Sequence, residues 1–131
     1  MIGLDTNVLI RHITQDDPVQ SPRASALIEG RLTEDEPGFI SVVALAETAW
    51  VLHRIHKYAD FEIAAVIERF LQTSTFIVEN EVEVFLAMTA LKQGRATFTD
   101  ALIGALGTSA GCSVTLTFDR KAARLPGFAL V

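Results

Sequence analysis

Short apolar runs alternate with stretches of helical apolar spacing along the whole chain. Ile2-Gly3-Leu4 reads as a strand that opens directly into a helix over Thr6–Ile13. Ser21-Pro22 has the chemistry of a helix start, serine as cap and proline in the first turn, leading through Arg23 to Leu32. A polar turn over 33–38 precedes a second strand, Phe39-Ile40-Ser41, and a long helix from about Val42 to His56. That helix is apolar on nearly every face as far as Leu52, which predicts that it is largely buried.

The second half repeats the alternation. Asp60 suits the cap of a helix running through Phe61, Ala64, Ile67 and Leu71, and Thr75-Phe76-Ile77-Val78 reads as a third strand. Asn80 with Glu83 has capping-box spacing before a helix that Gly94 ends. Thr97 starts another that Gly111 closes; Ser113–Thr117 is a fourth strand, a short helix spans Arg120–Arg124, and Phe128-Ala129-Leu130 is the fifth strand. Strands separated by helices predict an α/β fold with a parallel sheet covered on both faces. No repeat, low-complexity tract or linker interrupts it, and 131 residues suit one domain.

In such sheets ligands bind in the crevice at the strands' carboxyl ends. Asp5 directly follows the first strand and Asp119 the fourth; Glu47 lies about two turns into the helix after the second, and Asp100 sits in the first turn of its helix. Asp5 and Asp119 also suit helix N-caps, and Asp100 stands three residues after Thr97, a capping-box spacing. Glu47 has no such ordinary role. It interrupts the apolar run from Val42 to Leu52, where an ionised side chain costs several kcal/mol unless paired or metal-bound. Asp16-Asp17 and Glu34-Asp35-Glu36 lie in polar turns and read as solvated, and none of His12, His53 and His56 sits at a predicted strand end.

Four gathered carboxylates repel one another unless a divalent cation compensates them. Oxygen donors without histidine or thiolate point to Mg²⁺ or Mn²⁺, and such an ion's chemistry suits a phosphodiester substrate. The single cysteine, Cys112, excludes an internal disulfide and a cysteine-based zinc site. No export signal opens the chain and no run spans a bilayer, so a cytoplasmic protein without membrane contact is expected. A net charge of -5 weighs against nucleic-acid binding by charge alone. The bases are nevertheless grouped, in 53–57, at Lys92 with Arg95, and at Arg120-Lys121 with Arg124.

Four segments carry a resemblance. Gly3-Leu4-Asp5-Thr6-Asn7-Val8-Leu9, Ala44-Leu45-Ala46-Glu47, Phe98-Thr99-Asp100-Ala101-Leu102-Ile103 and Leu116-Thr117-Phe118-Asp119 resemble, in order and spacing, the four acidic motifs of PIN domains. Length and the closing Ala123-Arg124-Leu125-Pro126-Gly127 are most similar to VapC toxins of prokaryotic toxin–antitoxin pairs. The resemblance implies a three-layer α/β/α sandwich with a central, mainly parallel sheet, Mg²⁺- or Mn²⁺-dependent cleavage of RNA, a homodimer, and inhibition by a VapB-type antitoxin. It casts Asp5 and Asp100 as principal metal ligands, Glu47 and Asp119 as completing the pocket, and Thr6, Asn7 and Thr117 as polar neighbours orienting carboxylates or water. It also gives the apolar surplus a use in docking, with Trp50, Leu52, Phe61 and Phe70 as candidates alongside core packing. A receiver-like phosphoacceptor domain and a haloacid-dehalogenase-like phosphatase are the competing classes. The first would want paired acids near Asp5 and a lysine after a late strand, where Asp119 stands; the second would want an Asp where Asn7 stands.

Overall fold

The computed structural model describes residues 1–131, and its five short strands all run parallel to their neighbours. Strands β1 (Ile2–Gly3), β2 (Gly38–Ile40) and β3 (Phe76–Val78) form one sheet in that order, with Gly3 opposite Phe39 and Phe39 opposite Ile77. Strands β4 (Thr115–Thr117) and β5 (Phe128–Leu130) pair separately, Leu116 opposite Ala129. The expected central sheet is thus hydrogen-bonded in two pieces. Each strand is two or three residues long, so few ladder bonds hold it, and helix packing has to supply the rest.

Six helices do so: α1 (Thr6–Thr14), α2 (Gln20–Ala26), α3 (Val42–Arg54), α4 (Asp60–Gln72), α5 (Glu81–Lys92) and α6 (Phe98–Ser109), in a three-layer α/β/α arrangement. A wider π-helical turn, Leu27–Arg31, extends α2, and a 3-10 turn, Ala122–Arg124, follows β4. Leu9 and Ile10 of α1, Ile40 of β2, Leu45 and Leu52 of α3, Ile67 of α4 and Val84 of α5 are sealed from solvent in one contiguous apolar cluster. Burying each such side chain contributes roughly 1.5–3 kcal/mol. Helix α3 packs on α1, α4 and α6 and is therefore the hub between the elements that follow Asp5 and Thr97.

Four local expectations change in the folded chain. Helix α2 is capped by Asp17 rather than Ser21: Asp17 Oδ1 accepts from the amides of Val19 and Gln20, while the buried Ser21 hydroxyl accepts from the Asp17 amide. Helix α4 is entered through Ala59, whose amide donates to Glu62 Oε1, and Asp60 is its first residue. Asn80 takes a left-handed conformation and makes no cap bond to α5, so the capping box with Glu83 is absent. The Ser109 hydroxyl hydrogen-bonds Glu83 and holds its carboxyl below the usual range. Finally, α3 is not buried all round. Val43, Glu47 and Trp50 share an uncovered face, while Ala44, Leu45, Thr48, Ala49 and Leu52 turn inward.

Close approach also shapes the C-terminal ribbon. Gly104 of α6 lies against the Phe128 ring, where any Cβ would collide with it, so β5 reaches the helix only because that position is glycine. Beyond that contact the ribbon leaves apolar side chains uncovered: Leu116, Phe118, Leu130 and Val131 are all exposed.

Candidate active site

Asp5 stands where β1 becomes α1. Its backbone carbonyl accepts from the amides of Val8 and Leu9, yet its carboxylate makes no cap bond and is exposed. The ordinary capping explanation therefore fails for this side chain. Thr6 beside it is buried, and Asn7 is exposed and lines a surface hollow against α2.

Asp100 is half-buried at the third position of α6. Thr97 caps that helix as expected, its Oγ1 accepting from the Asp100 amide at 3.1 Å. Only the Asp100 amide is used; its carboxylate is left for other work. Asp119 differs, because its Oδ1 accepts from the Ala122 amide at 2.8 Å and so pins the turn after β4. The Thr117 hydroxyl accepts from the Asp119 amide at 3.0 Å, which places the matched Thr117 as the residue that orients this acid's backbone.

Glu47 is exposed, so the desolvation cost inferred from its apolar neighbours does not arise. The buried polar side chain of that stretch is Thr48, whose hydroxyl has no hydrogen-bond partner. Glu47 shares its outer face with Trp50, three residues on.

The sequence reading missed Glu79. This half-buried acid follows β3 at the same edge of the sheet, and its Oε1 accepts from the Val42 amide at 3.0 Å. Ser41 Oγ accepts from the Ala44 amide, so two side chains from different strand ends anchor the start of α3. The available signal was its place immediately after an apolar β-branched run, the rule that picked out Asp5.

Most acids of this chain, these four included, have no ion-pair partner. The three ion pairs in the chain are Arg11–Asp16, His56–Asp16 and Lys92–Glu68, and none involves Asp5, Glu47, Asp100 or Asp119. Asp16 and Asp17 are not idle solvated charges, as expected, but structural ones: Arg11 reaches Asp16 at 2.9 Å and Gln20 at 2.8 Å, and Asp17 caps α2. No three His, Cys, Asp or Glu side chains stand close enough together to cage a metal ion. The four acids therefore do not form a closed all-protein cage. A hard ion such as Mg²⁺ keeps most of its water and needs one or two carboxylates, so oxygen donors free of cationic partners still suit it.

Of the histidines, His12 Nδ1 lies 2.9 Å from Ser25 Oγ and His56 lies near Asp16; neither approaches the strand ends. His53 lines a cavity of about 220 Å³ between α3, α4 and the start of α6, together with Trp50, Asp60, Thr97, Thr99 and Lys121. Among the apolar docking candidates, Leu52 and Phe70 are core residues, while Trp50 and Phe61 are exposed at 56% and 70%. No helix is long and apolar enough to cross a membrane.

A family model described as PIN domain matches residues 2–127. No curated protein and no solved structure shows a significant match to the chain.

Proposed function

Since the chain belongs to the PIN domain family, whose members are in general metal-dependent nucleases, we propose that it is a Mg²⁺- or Mn²⁺-dependent endoribonuclease. In this reading residues 1–131 form a single catalytic domain that hydrolyses RNA phosphodiester bonds and acts as the toxin of a toxin–antitoxin pair. One observation carries it: Asp5 stands at the N-cap of α1 without a cap bond and Asp100 lends only its amide to α6, so both carboxylates, in segments that resemble the family's acidic motifs, are free to take a cation.

Asp5 and Asp100 would hold the ion directly, and Glu47 and Asp119 through water. When bound, the ion lowers the pKa of water and steadies charge on the phosphate. The chain's own part is to hold geometry. Asp119 stays in place because Ala122 and Thr117 bond its carboxylate and its amide. Thr97 holds the Asp100 amide, and Glu79 and Ser41 fix the start of the helix that carries Glu47. Glu47, exposed on that helix, would be free to accept a hydrogen bond from a water that the ion holds. Thr6 and Asn7 complete the polar surroundings of Asp5.

Exposed Val43 and Phe61 on α3 and α4, and Val82, Phe85 and Leu86 on α5, supply apolar surface for a homodimer partner and for a VapB-type antitoxin. An arginine from such an antitoxin would find unpaired carboxylates at the site. The phosphoacceptor classes are not favoured: the family match spans nearly the whole chain.

Purified protein freed of any partner is expected to cleave RNA with Mg²⁺ or Mn²⁺ and to stop with a chelator. Full activity in either Asp5→Asn or Asp100→Asn would sink the assignment. The toxin role is tested separately: expression alone should arrest growth, and arrest that persists in Asp5→Asn would remove nuclease activity as its cause.

A further inference from the structure

The cavity between α3, α4 and α6 is lined by chain neighbours of three of the acids, although by none of the four acids themselves. Trp50 stands three residues from Glu47 on α3, Thr99 adjoins Asp100 on α6, and Lys121 is two residues after Asp119. Three of the elements that carry an acid thus each also supply a wall residue. At about 220 Å³ the cavity is smaller than the roughly 300–1,000 Å³ that drug-sized ligands need, so it suits one planar ring system rather than a length of chain.

Its lining suits the same kind of ligand. Trp50 offers an exposed aromatic face on which a base can stack. The Thr97 hydroxyl already accepts from the Asp100 amide, which leaves its own proton to donate. Lys121 and His53 add donors, and the Asp60 carboxylate adds an acceptor.

We propose that this cavity is a nucleobase subsite that receives one unpaired base of single-stranded RNA beside the phosphodiester to be cut. The proposal rests on the nuclease reading and names the part of the substrate that site would grip. A base inside a duplex cannot enter, so unpaired RNA is the substrate class. The Asp60 carboxylate favours bases with an exocyclic amino group, adenine, cytosine and guanine, over uracil.

Trp50 is the only tryptophan in the chain and therefore a built-in reporter of the cavity. Titration of the wild-type protein with adenosine, cytidine, guanosine and uridine monophosphates, in chelator, should quench its fluorescence saturably, and uridine monophosphate should bind weakest. Lys121→Ala should weaken the quench, and Asp60→Asn should remove the discrimination against uridine. In cleavage assays on a single-stranded RNA, Trp50→Ala should raise KM by about tenfold or more, the loss of one stacked base, while kcat falls less. Base preference at one position next to the cut should flatten in the same variant. Absence of saturable quenching by all four nucleotides overturns the proposal, as does a Trp50→Ala variant with unchanged KM and base preference. Saturable quenching in a protein that cleaves no RNA would support the subsite and reject the nuclease reading. Cleavage without quenching would do the reverse.

Discussion

Two groups of acids in this molecule show opposite fates. In the turn between α1 and α2, Asp16 is held by Arg11 at 2.9 Å, and Asp17 accepts two amides that keep its carboxyl below the ordinary range. Elsewhere, Asp5 occupies a cap position without capping, Asp100 lends only its amide to its helix, and Glu47 faces outward alone. Asp119 stands between the groups, bonded to an amide but to no cation. The first group closes a turn. The second keeps its charge available, and removing that charge should cost the fold little.

The largest expected effect follows from that difference. Asp5→Asn should reduce RNA cleavage by at least about 100-fold, beyond the roughly 10–100-fold that loss of an outer metal partner brings, with no loss of thermal stability. A matching drop in melting temperature would erase the contrast with Asp16 and Asp17. Millimolar Mg²⁺ should raise the melting temperature of the wild type by binding the native state, and Asp5→Asn or Asp100→Asn should blunt that rise. An equal rise in both variants would place the ion elsewhere.

Smaller effects concern the supports. Gly104→Ala should destabilise by about 1–3 kcal/mol in denaturant unfolding, because the new Cβ meets the Phe128 ring and overpacks the joint of the β4–β5 ribbon. The gain in helix propensity, about 1 kcal/mol, is not expected to offset it. Thr97→Ala should cost about 1 kcal/mol by removing the cap of α6, and should also lower cleavage through the freed Asp100 amide.

The smallest effect is a pH dependence. The amides of Gln20 and Val19 lower the folded pKa of Asp17, so its stabilisation is present above the unfolded value near 3.8 and is lost as pH falls through the folded value. Asp17→Ala should therefore melt earlier than wild type at neutral pH, with the gap narrowing in acid. A gap that stays constant through that range would mean the Asp17 charge contributes nothing.

The legible part of the fold was the part written in neighbouring residues. The strand–helix alternation, the Thr97 cap and the stops at Gly94 and Gly111 depend on periodicity and on contacts within a turn, and each appears where expected within a few residues. The errors share a different origin. Ser21 and Asn80 carry the right side chains for caps, but the chain arriving at each put Asp17 on the amides of α2 and turned Asn80 into the left-handed region. The apolar flanks of Glu47 imply burial, yet burial depends on which face of α3 is covered, and Val43, Glu47 and Trp50 lie on an exposed one.

By itself the sequence determined the element order, the ends of α5 and α6 at Gly94 and Gly111, and the family. These follow from spacing, which the chain carries in one dimension. The tertiary structure alone decided which acids find a partner, that Glu79 anchors α3 from another strand, and that Trp50, Thr99 and Lys121 share one cavity. Those outcomes rest on groups tens of residues apart, and only packing sets the distances between them.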